Sequence, residues 1–192
     1  MKKLSSLLCL FFVVCSFSYG QVVWDKLGSD IDGEGISDAS GYSISMNSLG
    51  DRIIIGAYQN KPGSKRTGHA RIYVYNDTLW TQLGGDINGV YEYDQFGYSV
   101  SMNSLGDYVA IGANGFGNTN KGKVTIYNYN INYSSNWLNR GSINGEYSQD
   151  NFGKSVSINA IGDRVAIGGP YNDGNGSNSG HVRVYSYDGT WN

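Results

Sequence analysis

Few residues in this sequence have types and spacing suited to chemistry. Asp30, Asp32, Glu34 and Asp38 alternate along the glycine-containing stretch Asp30-Ile31-Asp32-Gly33-Glu34-Gly35-Ile36-Ser37-Asp38. Carboxylates at alternate positions let a short loop turn several oxygens inward, which is what calcium coordination requires. Related stretches farther along are more dilute, with Asp86, Asn88, Glu92 and Asp94, and then Ser142, Asn144, Glu146 and Asp150. The set falls short of the roughly six to eight oxygens that calcium takes. The plainer reading is a polar turn whose Asp and Asn side chains bond their own backbone. Calcium at Asp30, Asp32, Glu34 and Asp38 is thus the one cofactor the spacing suggests, and no other is expected.

His69 and His181 both lie in a Gly-His-x-Arg-x-Tyr context, with Lys123 at the matching place between them. Catalysis needs a histidine converging with a nucleophile or an acid, whereas these belong to separate copies of a repeat. They are expected to be strand residues. Serines at 43, 45, 99, 101, 155 and 157 recur in step, which marks packing and hydrogen bonding. No metal-ligand cluster, phosphate loop or catalytic triad emerges, and an enzyme is not expected.

The elements that must carry these residues repeat. Met46-Asn47-Ser48-Leu49-Gly50-Asp51 recurs identically at 102–107, and a looser copy runs from Ile158 to Asp163. Gly41, Gly97 and Gly153 are spaced by 56 and 56. Trp24, Trp80, Trp137 and Trp191 are spaced by 56, 57 and 54, so all four tryptophans hold one repeat position. Within a copy, Tyr98 to Met102 alternates polar and apolar, Tyr108 to Gly112 is nearly all apolar, and Lys123 to Tyr129 alternates again. Trp80 to Ile87 supplies the fourth run of the cycle. Asn-Ser-Leu-Gly-Asp is short enough for a hairpin whose glycine takes positive φ. Four antiparallel strands repeated in tandem are the mark of propeller blades, whose faces are covered by their neighbours. The expected fold class is therefore all-β, with about three four-stranded blades in an incomplete ring.

Phe96-Gly97-Tyr98-Ser99-Val100-Ser101 with Val109-Ala110-Ile111-Gly112-Ala113 resembles the FG-GAP repeat of integrin-α-type β-propellers. Phe152-Gly153-Lys154-Ser155-Val156-Ser157 with Val165-Ala166-Ile167-Gly168-Gly169-Pro170 is an equally good match. The first copy is weaker, with Ser40-Gly41 and Ile54-Ile55-Gly56-Ala57 in those places. The likeness is to secreted bacterial proteins with tandem repeats of this kind, and it covers about residues 24–192. It implies a propeller and an extracellular binding or adhesion role, but names no ligand. Many such blades carry an Asp-rich calcium loop between the FG and GAP strands. Here that turn is only 47–51, 103–107 and 159–163 with one carboxylate each, so the family's usual site is not expected.

Composition fits this reading. Charged residues are 16% of the chain, the net charge is −2, and 28 of 192 residues are glycine, which suits a turn-rich β protein. The balance leaves no basic footprint for nucleic acid. Met1-Lys2-Lys3, an apolar run from Leu4 to Phe17, and small residues at Ser18 and Gly20 have the layout of a secretory signal over residues 1–20. The bland alternative is an uncleaved anchor. Cleavage removes Cys9 and Cys15 and leaves a mature chain without disulfides, a membrane span or net positive charge. The expected location is secreted, extracellular or at the cell surface.

The remainder, 21–192, divides from tryptophan to tryptophan into units 24–79, 80–136 and 137–190, with a fourth beginning at 191. In an up-and-down blade, the variable loops 57–69, 113–122 and 169–180 share an end with the acidic loops 30–38, 86–94 and 142–150. That end is the expected binding face, with Tyr58, Tyr91, Tyr93, Phe116, Tyr147, Tyr171, Asp173 and Asn175 as its contact surface. The plainer reading is that the rings pack loop against blade. An extracellular protein is the expected partner. A glycan is the alternative, as is a structural spacer role in a longer secreted protein. The register also anticipates further repeats beyond Asn192, or closure by self-association.

Overall fold

The computed structural model describes residues 24–191. The expected signal segment lies outside these residues. Three antiparallel sheets follow one another along the chain, and no α-helix occurs among the described residues.

The first sheet contains β1 (Ser43–Met46), β2 (Arg52–Ala57), β3 (His69–Tyr75), β4 (Trp80–Gln82) and β5 (Ile87–Asn88). β1 to β4 pair in order, and β5 pairs with β3, so β4 and β5 are two pieces of one outer strand. The second sheet contains β6 (Phe96–Met102), β7 (Tyr108–Ala113), β8 (Lys123–Tyr129) and β9 (Trp137–Asn144), also paired in order. The third contains β10 (Ser155–Ile158), β11 (Arg164–Gly169) and β12 (His181–Ser186), with Trp191 bridging to Tyr187 where an outer strand begins. Each tryptophan run is therefore the last strand of its sheet. A sheet spans the end of one tryptophan-to-tryptophan unit and the start of the next.

Register repeats with the sequence: Ser43 faces Gly56, Ser99 faces Gly112, and Ser155 faces Gly168. The hairpin glycines Gly50, Gly106 and Gly162 take φ of 74°, 70° and 85°, as the turn requires. Each hairpin is fastened by its own asparagine. Asn47 Oδ1 accepts from the Asp51 and Arg52 amides while its Nδ2 donates to Asp51, and Asn103 does the same with Asp107 and Tyr108.

The core lies between sheets. Ile54, Ala70, Ile72 and Ile87 of the first meet Phe96, Val100, Met102, Val109, Ile111 and Trp137 of the second. Ala110, Val124, Ile126 and Ile143 of the second meet Phe152, Ile158, Val165 and Ile167 of the third. The approach is so close that a Cβ on Gly56 would stand 2.1 Å from the Gly97 carbonyl oxygen, and one on Gly112 would stand 2.2 Å from that of Gly153. Only glycine fits there. The recurring serines supply the matching donors: Ser43 Oγ donates to the Gly97 carbonyl at 2.8 Å, and Ser99 Oγ to the Gly153 carbonyl at 2.7 Å. The tryptophans tie successive outer strands together, Trp80 Nε1 donating to the Leu27 carbonyl and Trp137 Nε1 to that of Leu83. These are propeller-type blades.

Candidate functional site

The β2–β3, β7–β8 and β11–β12 loops lie at the same end of the array as the loops that enter β1, β6 and β10. Each acidic loop is fastened to the variable loop of its own blade. Asn60 donates to the Asp38 carboxylate at 2.8 Å, Asn172 donates to Asp150 at 2.9 Å, and the Gly115 amide donates to the Asp94 carbonyl. The second and third also reach the preceding blade, the Tyr93 amide donating to the Arg66 carbonyl and the Gln149 amide to that of Thr119. Asp38, Asp94 and Asp150 hold one register position, and all three are buried. Asp94 has Phe116 where the others have an asparagine. Burial pushes its carboxyl from 3.8 up to about 6, against the pull of the Lys123 ammonium.

The four carboxylates of the first acidic loop do not converge. Asp30 pairs with Lys26, Asp38 is held by Asn60, and the Asp32 carbonyl accepts from Arg71 at 2.8 Å. Glu34 instead meets His69 and Asp86, with potential ligand atoms all within 4.8 Å of one another. His69 is buried, its Nδ1 lies 3.6 Å from Glu34 without a hydrogen-bond partner, and desolvation with the nearby Arg71 charge lowers its pKa below the usual value. A neutral imidazole beside two carboxylates is a donor set that a divalent metal accepts. Arg71, however, stands 3.5 Å from Glu34, and Gln82 donates to Asp86 at 2.7 Å, so positive charge and donors already serve these carboxylates. In the third blade Arg183 donates to Glu146 and holds its carboxyl below the usual range. In the second, Val90, Lys123 and Thr125 replace the Glu-His-Arg set altogether. At the register position of Glu34, glutamate stands only in the two units that have His and Arg at the facing positions. That covariation between copies was the available signal for a contact the sequence reading missed.

The aromatic residues divide into two groups. Tyr58 is packed with Tyr42 and Tyr98 at centroid distances of 4.5 and 5.4 Å. The Tyr42 hydroxyl donates to that of Tyr98, and this bond is the main cause of the Tyr98 phenol rising to about 12. Tyr91 contacts Phe116, and the Lys123 ammonium lies 4.2 Å from the Phe116 ring centre. Tyr171 is covered by Lys154, which also donates to its hydroxyl. These four rings hold loop to blade. Tyr93 and Tyr147, 62% and 67% exposed, instead line cavities, whereas Tyr91 keeps its contact with Phe116 although it is 59% exposed. Tyr93 lines a cavity of about 250 Å³ with Tyr58, Gln59, Arg66 and Gln95. Tyr147 lines one of about 410 Å³ with Ser148, Asp150, Asp173 and Gly174. A cavity of about 440 Å³ occupies the equivalent place in the first blade, between Glu34, Ile36, Asp38, Asn60, Lys61 and Asp86. Asp173 also accepts from the Asn178 amide, and the Asn175 amide donates to Ser179, so the 173–179 loop is internally braced.

Fold and site together define a propeller-type repeat module with a loop-bearing end. Residues 145–185 match the family model of the FG-GAP repeat, and the matched strands and glycines recur one and two periods earlier. No curated protein matches the chain at a significant level. Among solved structures, a candidate 6-phosphogluconolactonase from Bacteroides uniformis matches with a TM-score of 0.56 and 11% identity, over 83% of this chain and 40% of that one. The complex of KlAtg21 with the coiled-coil of AgAtg16 matches with 0.53 and 8%, over 76% and 39%. Saccharomyces cerevisiae Sqt1 matches with 0.50 and 15%, over 81% and 34%. At such identities the likeness is one of fold. The chain spans 40% or less of the length of these structures.

Proposed function

We propose that this chain is a non-enzymatic, extracellular binding or adhesion module that takes a protein partner at its loop-bearing end. The observation that carries the reading is the pair of register-equivalent cavities in the first and third blades. Both rest on the same Asn–Asp bond, Asn60 with Asp38 and Asn172 with Asp150, yet their linings differ in chemistry. One offers Glu34, Ile36 and Lys61, and the other Tyr147, Ser148 and Asp173. A constant scaffold with variable lining is the economy of a recognition surface. Non-enzymatic action is proposed because Ser43, Ser45, Ser99 and Ser101 are engaged between blades and the histidines belong to strands of separate blades.

A glycan is the second reading. Tyr147 beside Asp173 pairs an apolar ring face with a carboxylate that accepts from hydroxyls. Screening the chain against glycan arrays and extracellular protein panels separates the two. Tyr147→Ala is expected to abolish the recognised hit while leaving the melting temperature unchanged. A surface inert to both libraries favours a spacer role.

A further inference from the structure

One polar atom in the first blade is buried without a partner and faces two carboxylates. His69 is 1% exposed, and its Nδ1 makes no hydrogen bond. Glu34 Oε2 stands 3.6 Å from it, too far to serve as an acceptor. Buried ring nitrogens are normally satisfied, so this one calls for an occupant. The fold brings its neighbours from separate elements. His69 opens β3, the pairing of His69 with Asn88 sets Asp86 alongside, and Glu34 arrives on the loop that enters β1. The three potential ligand atoms lie within 4.8 Å of one another.

Arg71 and Gln82 leave room in this set. Arg71 Nη1 stands against Glu34 Oε1, and Gln82 Nε2 donates to Asp86 Oδ1, so each carboxylate keeps its other oxygen. One guanidinium between two carboxylates also leaves the cluster net negative. We propose that Glu34, His69 and Asp86 form a binding site for a zinc-class divalent ion, with His69 Nδ1 and one oxygen of each carboxylate as ligands. The fourth position of a tetrahedral ion then opens on the cavity that Glu34 and Asp86 line. Bonds of about 2.0–2.1 Å place tetrahedral ligand atoms about 3.3 Å apart. The 3.6 Å between His69 and Glu34 is already close to that spacing. Glu34 and Asp86 are exposed, so their side chains are free to make the remaining closure onto the buried imidazole. A nitrogen with two carboxylates suits a borderline first-row ion, whereas calcium takes about six to eight oxygens. The repeat isolates the site. The second blade has Val90, Lys123 and Ser142 at the three positions. The third keeps Glu146 and His181, but Arg183 donates to Glu146, and the Asp86 position has no counterpart among the described residues. This inference goes beyond partner recognition and can fail without it.

Zinc titration of the metal-stripped full chain near neutral pH, read by calorimetry and by melting temperature, tests the site. One zinc per chain and a raised melting temperature are expected. Glu34→Gln and Asp86→Asn, both at exposed positions, should each weaken zinc binding by roughly tenfold or more with little change in the metal-free melting temperature. Asp30→Asn, in the same loop but paired with Lys26, should leave zinc binding unchanged. Cobalt in place of zinc should give tetrahedral visible absorption without a thiolate charge-transfer band. A chain that binds no zinc overturns the proposal, as does binding indifferent to both ligand substitutions. A thiolate band, which would put the metal on Cys9 or Cys15, overturns it too. Partner screens of the metal-free chain read the loop surface separately.

Discussion

Ile126 of the second blade and Val184 of the third occupy one register position, yet one is fully buried and the other mostly exposed. Gly112 and Gly168 form a similar pair. A Cβ on either would meet its own blade's serine Oγ, at 2.3 and 2.4 Å, but only Gly112 also faces another blade's carbonyl oxygen. The repeat therefore encodes an interface rather than a stable sheet. The same residues are core or surface according to whether a neighbour is present, as expected for units that cannot bury both faces alone.

Substitutions at paired positions, measured by chemical denaturation in dilute solution, should separate the covered member of each pair from the uncovered one. The largest difference is expected for Ile126→Ala, costing about 2–5 kcal/mol, against Val184→Ala, within about 0.5 kcal/mol. Gly112→Ala should follow at about 3 kcal/mol, since blade must move from blade, while Gly168→Ala requires only a serine rotation and about 1 kcal/mol or less. Equal losses within either pair would mean that the second interface does not form in solution.

The next effect is one of pH. The folded protein holds the Asp94 proton more tightly than the unfolded chain does, its pKa being raised from 3.8 to about 6. This stabilisation is complete below the unfolded value and is lost as pH rises through 6. Asp94→Asn should remove that slope and stabilise the protein near neutral pH by on the order of 2 kcal/mol. A wild-type melting temperature that rises with pH from 4 to about 7, with the variant parallel to it, would contradict the assignment. The smallest effect is expected from calcium. Lys26, Asn60 and Arg71 already serve the 30–38 loop, so neither adding nor withdrawing calcium should shift the melting temperature. A rise of several degrees would restore the loop as a metal site.

Much of this architecture was legible in the sequence because a period of about 56 residues keeps most interface positions in recognisable register. The role of Ser99 was not legible in detail: its partner, the Gly153 carbonyl, lies 54 residues away in the next blade. Strand order placed the acidic and variable loops at one end, which the Asn60–Asp38 and Asn172–Asp150 bonds display. What alternation along 30–38 could not reveal was side-chain direction: Asp30 turns to Lys26, Glu34 to His69 and Arg71, and Asp38 to Asn60. Likewise, sequence marked six loop rings but could not separate the packed ones, such as Phe116 under Lys123, from the exposed Tyr93 and Tyr147.

Amide hydrogen exchange at three equivalent residues probes the interface most directly. The Met102 and Ile158 amides donate to serine hydroxyls of the preceding blade, whereas no blade precedes Met46 among the described residues. In dilute solution, strong protection at Met102 and Ile158 with fast exchange at Met46 is the expected result. Equal exchange at all three would contradict the account of one repeated interblade lock.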